Sequence, residues 1–173
     1  MSNEIQKRAR VRGKGYWFED FLPGRVFEHH WGRTLVQAEN ALFSSLTLHF
    51  NPAYTNVEYA KAMGHRDMPI NPMLVFNTIF GLSVEDLSEN GVAFLGVDDL
   101  WFSNPVYPGD TLFARSTVID RRVSAKDPTT GIASWRTEGL NQRQECICAF
   151  TRTNLLKVRT TAGELKEPKG LEA

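Results

Sequence analysis

Several features that would restrict the function of a protein are absent from this sequence. None of its apolar runs approaches the roughly 20 residues of a membrane-spanning helix, and the first residues, MSNEIQKRAR, lack the apolar segment of a secretory signal. Basic and acidic residues balance at 20 each, so no cationic excess indicates a nucleic-acid partner. We therefore expect a cytoplasmic protein that binds neither membrane nor nucleic acid.

Cysteine is also scarce, and the two cysteines stand two residues apart. Cys146 and Cys148 fall in a strand-like stretch, where side chains at this spacing share one face of a sheet. The spacing suits neither a mutual disulfide nor a common zinc site. His29, His30 and His65 show no ligand spacing either. We expect two reduced thiols packed as small apolar groups, no metal and no cofactor.

The composition predicts one domain with a polar segment at each end. Residues 1–15 form a basic arm and residues 159–173 a polar tail. No repeat or linker interrupts residues 16–158, and this length is enough to bury a core.

Capping signals in the first half of the domain predict helices. Thr34 with Gln37, and Thr55 with Glu58, have the spacing of capping boxes. Apolar residues follow the first pair at helical intervals as far as Leu46. Two helices are therefore expected before residue 65.

The strongest helix signal is the Asn71-Pro72 pair, which predicts an N-cap followed by the first helical residue. The apolar residues that follow cover nearly all sides of the helix, so we expect a buried helix. Gly81 within it is interpreted as a point of close packing.

After residue 91 the sequence becomes typical of strands. β-Branched and aromatic residues dominate the stretches 92–102, 111–124, 132–140 and 145–158, with turn residues between them. A buried helix followed by an antiparallel meander predicts an α+β fold, with the sheet wrapped around a central helix.

Three motifs in this order resemble those of the MaoC-like (R)-specific enoyl-CoA hydratases, which have the hot dog fold. Residues 49–54, H-F-N-P-A-Y, are similar to the family's D-x-N-P-x-H. Residues 69–74, P-I-N-P-M-L, resemble P-I-x-H-G-M-L, and residues 102–112 resemble F-x-x-P-V-x-P-G-D-T-L. A looser likeness in 81–84 and 137–142 is to the subgroup associated with itaconyl- or mesaconyl-CoA.

This resemblance implies a hydratase or dehydratase for a short, branched or dicarboxylic enoyl-CoA thioester, which binds as substrate and not as cofactor. It also implies a homodimer or higher homo-oligomer with sites between subunits. In the family, the aspartate and histidine of the first motif activate one water. Those positions hold His49 and Tyr54 here, and the glycine whose N–H polarises the thioester carbonyl aligns with Pro72, which has no N–H.

The substituted positions still allow acid–base chemistry. A histidine side chain can accept a proton from water near neutral pH, and a tyrosine stays protonated and can orient that water. We therefore predict a catalytic set of His49, Asn51 and Tyr54, with His49 as the base and Tyr54 as the orienting group.

Substrate binding is predicted at the start of the central helix. The N–H groups of Met73 and Leu74 are expected to be free and to face the thioester carbonyl at the positive end of the helix. Asn71 either caps the helix or donates its amide to the carbonyl, and capping is favoured. The triplet 65–67, His-Arg-Asp, is interpreted as a solvated loop.

Two other functions are consistent with the same fold. The protein can be a degenerate hot dog protein that binds acyl-CoA without turnover, since all three chemical positions differ from the family pattern. It can also be a hot dog thioesterase, although that reaction usually needs a carboxylate on the central helix. This helix offers Asn71, Asn77 and, near its end, Glu85.

Overall fold

A computed structural model describes residues 15–159. The predicted arm and tail lie outside the described residues, apart from one residue of each. Two 3-10 turns occur, at Phe18–Asp20 and Pro52–Tyr54. The α-helices are α1 (Gln37–Leu46), α2 (Val57–Ala62), α3 (Pro72–Leu82) and α4 (Val84–Leu87). The strands are β1 (Val26–Glu28), β2 (Arg33–Thr34), β3 (Gly91–Phe102), β4 (Thr111–Val123), β5 (Thr130–Leu140) and β6 (Cys146–Lys157).

The strands form an antiparallel sheet in the order β1-β4-β5-β6-β3, with β2 paired to the first two residues of β4. The four long strands coincide with the four stretches predicted from β-branched and aromatic residues. Strand β3 follows the helices in sequence and lies at one edge of the sheet, beside β6. The predicted α+β class is confirmed.

Helix α3 packs against the sheet through one face. Val75 and Ile79 are buried in a cluster that includes Leu112 and Phe150 from the strands. Leu74, Phe76 and Phe80 are half-buried against the same cluster, whereas residues 15–159 leave Asn77 and Gly81 exposed. The expectation of a buried helix therefore holds except along the line of Asn77 and Gly81.

The close packing expected at Gly81 occurs instead on the strand that faces the helix. In the described range, a Cβ atom built at Gly81 would meet no atom of another element within 4 Å. At Gly139 of β5, the same atom would lie 2.1 Å from Cδ1 of Ile79. The helix and sheet approach each other closely because residue 139 has no side chain.

Two predicted helix starts are wrong by one or two residues. Thr34 does not cap α1, because it lies in β2, where its hydroxyl is 2.7 Å from that of Thr111. The N-cap of α1 is Val36, whose N–H donates to the Glu39 carboxylate. Thr34 cannot cap the helix because it pairs with Thr111 in the sheet.

Asn56, and not Thr55, caps α2. Its side-chain oxygen accepts hydrogen bonds from the N–H groups of Glu58, at 3.0 Å, and Tyr59, at 3.1 Å. The backbone N–H of Thr55 instead closes the preceding 3-10 turn on Pro52. Asn and Thr are both good caps, and the turn decides between them.

Cys146 and Cys148 are free thiols, as predicted. Cys148 is fully buried, and burial together with the neighbouring Cys146 raises the pKa of its thiol to about 12. The reactive thiolate form is therefore strongly disfavoured, which suits a small apolar packing role.

A buried polar network joins His29, which follows β1, to α4 and the sheet. Its Nδ1 lies 2.6 Å from Oδ2 of Asp86, and its Nε2 lies 2.9 Å from Oγ of Ser116. The Ser116 hydroxyl is in turn 2.8 Å from that of Thr137. The set has the composition of a Ser–His–Asp triad, but Ser116 is 0% exposed and cannot meet a substrate. It is a structural network.

This network predicts a pH-dependent stability. Burial lowers the pKa of His29 below 6.5, outweighing the opposing effect of Asp86. Between the lowered folded value and 6.5, the unfolded chain binds more protons than the folded chain, so stability is complete above 6.5 and falls as pH drops through this window. The slope from one such group is at most about 1.4 kcal/mol per pH unit.

Urea unfolding of the wild type and of His29→Gln between about pH 8 and about pH 5 checks this expectation. The free energy of unfolding of the variant should depend less steeply on pH than that of the wild type, because glutamine does not titrate. Equal slopes for the two proteins would contradict the assignment.

Candidate functional site

One cavity of about 390 Å³ is lined by residues of all three sequence motifs. It lies between the 3-10 turn Pro52–Tyr54, the start of α3 and the segment that follows β3. The first motif contributes Asn51, Ala53 and Tyr54, the second contributes Pro69, Ile70 and Pro72, and the third contributes Phe102, Ser103, Asn104, Pro105 and Val106. Tyr59, Met63, His65 and Val75 complete the wall. Motifs that are far apart in sequence therefore form one site.

The 3-10 turn presents Asn51 and Tyr54 to this cavity. The side-chain oxygen of Asn51 accepts from the N–H of Ala53 at 3.0 Å and caps the turn. Its Nδ2 has no hydrogen-bond partner among residues 15–159, so it is available as a donor. Partial burial raises the pKa of the Tyr54 hydroxyl, which keeps that group protonated at neutral pH.

Asn40 of α1 holds the motif segments together from the buried side. It is 0% exposed, and its Nδ2 donates to the carbonyl oxygens of Tyr54 and Pro69, each at 3.1 Å. Its Oδ1 accepts from the N–H of Asn71 at 2.8 Å. One buried amide thus satisfies three backbone groups from the first and second motifs, and fixes their separation.

Asn71 caps α3, as its position before proline predicts. Its Oδ1 accepts from the N–H of Met73 at 2.9 Å, and its Nδ2 lies 3.0 Å from Nδ1 of His49 and 3.3 Å from Oγ of Ser44. The side chain is buried, and its amide points to these two groups. Asn71 therefore caps the helix, as favoured. Its amide donates to His49 and Ser44 and not into the cavity where a thioester carbonyl would lie.

The contact with Asn71 defines the hydrogen-bonding state of His49. The Asn71 Nδ2 can only donate, so the His49 Nδ1 accepts and a neutral ring carries its proton on Nε2. The lone pair that a general base needs is therefore occupied. His49 is exposed and is not among the residues that line the cavity in the described part of the chain.

The helix N–H groups predicted to bind the carbonyl are also occupied. That of Met73 donates to the Asn71 side chain, and that of Leu74 donates to the Asn71 carbonyl at 2.9 Å. Neither residue lines the cavity. The expectation of free N–H groups is wrong because the asparagine cap satisfies both of them.

His65 lies in the cavity wall, a position that its sequence context did not indicate. It is half-buried, and its Nδ1 lies 3.2 Å from the Tyr107 hydroxyl. The guanidinium of Arg66 lies over the Tyr107 ring at 4.3 Å from its centroid and is 3.8 Å from the Asp110 carboxylate. The interpretation of this triplet as a solvated loop is wrong for His65. His65 stands only four residues before the second motif, and this closeness in sequence could have indicated that it lies near the site.

No three or more histidine, cysteine, aspartate or glutamate side chains in residues 15–159 are grouped so that they can hold a metal ion. No helix in the same range is long and apolar enough to cross a membrane.

Solved structures identify the class of fold. The chain is similar to a MaoC domain protein from Chloroflexus aurantiacus, with a TM-score of 0.83 and 32% identity, over 95% of this chain and 46% of that one. It is also similar to a Mycobacterium tuberculosis protein that has a double hot dog fold, with a TM-score of 0.74 and 24% identity, over 90% of this chain and 47% of that one. The fold is the hot dog fold, as predicted.

The chain belongs to the mesaconyl-CoA hydratase family, whose model matches residues 2–168. It is 36% identical to the mesaconyl-CoA hydratase of Haloarcula hispanica over 161 residues, which are 92% of this chain. The match covers 45% of that relative, so this chain spans less than half of the relative's length. The family resemblance predicted from the three motifs is confirmed.

Proposed function

We propose that this protein is an acyl-CoA hydratase or dehydratase that adds water to, or removes water from, a short branched or dicarboxylic enoyl-CoA thioester. The observation that carries the proposal is the convergence of the three hydratase-like motifs on one cavity. The family match, and a relative named for the hydration of mesaconyl-CoA, favour a branched dicarboxylic acyl group.

Hydration needs a base for the water, a group that orients it and a donor for the carbonyl. The base removes a proton while the water oxygen bonds to the β-carbon, the displaced electron pair moves to the thioester oxygen, and the α-carbon then takes a proton. In the cavity we assign the base to His65, the orienting hydroxyl to Tyr54 and the carbonyl donor to the free amide of Asn51. His49 as base remains a prediction that this geometry favours less.

We also propose that the protein is a homodimer formed through β3. This edge strand is 12 residues long and has no second strand partner within residues 15–159. An open edge of that length favours pairing with another strand. Strand β3 exposes five large apolar side chains, Val92, Phe94, Leu95, Trp101 and Phe102. A second copy would occupy the place of the other half in a double hot dog chain, and would lie beside the cavity through Phe102.

A second candidate function is acyl-CoA binding without turnover. It is favoured by the start of α3, where Pro72 has no N–H and the next two N–H groups are occupied by Asn71. A helix end in this state offers no donor to a developing oxyanion. The thioesterase alternative lacks such support, because no aspartate or glutamate is among the cavity-lining residues in the described range.

A panel of crotonyl-, mesaconyl- and itaconyl-CoA tests the proposal. The purified protein should decrease the absorbance of a conjugated thioester and yield a product heavier by one water. Calorimetry on the same samples measures thioester binding, and light scattering should give the mass of two 19.6 kDa chains. Binding without hydration would establish the second candidate. If the protein neither hydrates nor binds any of these thioesters, the hydratase proposal and the binding proposal are both contradicted.

A further inference from the structure

Arg152 of β6 is a buried cation in an aromatic environment. It is 3% exposed. The centre of its guanidinium lies 3.9 Å from the ring centroid of Phe80, 5.4 Å from that of Trp135 and 5.7 Å from that of Phe94. Cation–π contacts compensate for part of the lost hydration. They do not supply a negative charge.

The polar contacts of Arg152 leave one nitrogen unpaired. Its Nε donates to Oδ1 of Asn154 at 3.1 Å, and its Nη2 donates to Oγ of Ser88 at 2.5 Å. The buried Nη1 has no partner among the described residues. Both partners are neutral, and Arg152 forms no ion pair with any carboxylate among residues 15–159.

Such an arrangement is costly for the folded state. A buried charge normally needs a counter-charge or a complete set of hydrogen bonds, and an apolar residue of similar volume is often more stable at such a position. Burial lowers the pKa of Arg152 to about 10, the direction expected for a cation without an anion. Arginine at this position is therefore explained better by a ligand than by the stability of the fold.

Arg152 contributes to the wall of a cavity of about 170 Å³ at this edge of the sheet. Its wall is formed by Arg152, Asn154, Ser88 and the first residues of β3, from Gly91 to Phe94. The ladder between β3 and β6 is irregular here, with register shifts between Gly91 and Ala93 and again between Phe94 and Gly96. Bulges of this kind open a sheet edge locally and are common next to functional sites. The volume accommodates about five water-sized groups.

We propose that Arg152 binds the distal carboxylate of a dicarboxylic acyl thioester in this edge cavity, a role that rests on the function proposed above. A guanidinium pairs with a carboxylate through two parallel hydrogen bonds, and Nη1 is the unused donor. An acyl chain that ends in a methyl group would leave the cation unpaired. A site with an unpaired polar group strongly rejects the ligand that lacks its partner.

The position of the edge cavity explains how one substrate reaches both sites. In one chain, the start of β3 lines the edge cavity and Phe102, at the end of β3, lines the motif-lined cavity. Antiparallel pairing of two β3 strands about a two-fold axis brings the start of one strand beside the end of the other. In such a pair, the edge cavity that Arg152 lines in one copy would face the motif-lined cavity of the second copy.

A pair of substrates that differ only at the distal group tests this role. Mesaconyl-CoA carries a carboxylate where 2-methylcrotonyl-CoA carries a methyl group. The wild type should prefer mesaconyl-CoA by about 100-fold or more in kcat/KM, or in Kd if no turnover occurs. Arg152→Met should abolish this preference and leave the values for 2-methylcrotonyl-CoA within a few-fold of wild type. Arg152→Lys, which keeps the charge, should retain part of the preference.

Arg122→Met is the matched control, because it removes the same charge from an exposed position on β4. It should behave as the wild type. The melting temperature of Arg152→Met should be equal to or above that of the wild type, whereas a purely structural arginine would give a lower one. Retention of the substrate preference in folded Arg152→Met would overturn the proposal.

Binding of free 2-methylfumarate separates this inference from the proposed function. The dianion should raise the melting temperature of the wild type and not that of Arg152→Met, and its dimethyl ester should affect neither. If no thioester binds but this shift occurs, the proposed function fails and the carboxylate site stands. If thioesters are turned over without distal-group preference and the dianion has no effect, the carboxylate site fails alone.

Discussion

Replacing His65 with glutamine is expected to lower kcat for the preferred enoyl-CoA by about 100-fold or more, with a much smaller change in KM. Glutamine can keep the hydrogen bond to the Tyr107 hydroxyl and fill a similar part of the cavity wall. It cannot accept and hold the proton of the attacking water. The loss should therefore appear in the chemical step, and steady-state kinetics of wild type and variant measure it.

His49→Gln is the control, because the two histidines are the competing candidates for the base. The Nδ1 of His49 already accepts from Asn71 and its ring does not line the cavity, so we expect its replacement to lower kcat less than about 10-fold. The reverse result, a large loss in His49→Gln and a small one in His65→Gln, would restore the prediction made from the first motif. Unfolding curves for both variants exclude a loss caused by misfolding.

Gly139→Val is expected to destabilise the fold by about 1–3 kcal/mol or more, the usual cost of overpacking a close-packed core. Even the Cβ atom would lie 2.1 Å from Cδ1 and 2.7 Å from Cγ1 of Ile79. Ile79 is 0% exposed and β-branched, so its side chain has no free space to enter. Either the central helix or β5 must move, and urea unfolding of the variant measures the cost.

Gly81→Ala provides the matched comparison within α3. Apart from the adjacent residues and the backbone of the helix itself, no atom of residues 15–159 lies within 4 Å of the added methyl group, so the substitution should stabilise the helix by about 0.5–1 kcal/mol. Gly139→Ala should move the free energy of unfolding in the opposite direction. If both alanine variants change stability alike, the close approach of helix and sheet at residue 139 is not as described.

The substituted motif has a chemical consequence for the proposed reaction. His49 and Tyr54 stand where the related hydratases are expected to carry aspartate and histidine, and no carboxylate is among the residues that line the cavity in the described range. Our proposal therefore assigns the role of the base to His65, in the loop that follows α2, and not to a residue of the first motif. The protonated Tyr54 then orients the water and does not accept its proton.

Local sequence patterns were sufficient for the elements and for the family. The strand stretches, the Asn71-Pro72 helix start and the order of the three motifs all depend on neighbouring residues, so periodicity and capping predicted them. The exact starts of α1 and α2 could not be predicted in this way. Thr34 and Thr55 are good capping residues whose backbone groups are taken by a strand and by a 3-10 turn.

Only the tertiary structure decided which side chains share a cavity and which are paired. His49 and His65 both lie in loops, where no periodicity defines the direction of a side chain. Asn40, distant in sequence, determines how the motif segments meet. Alternation along β6 is enough to predict that Arg152 faces inward, but the lack of a counter-charge depends on every element packed around it. The sequence by itself thus determined the fold and the family, whereas long-range packing decided the chemistry of the site.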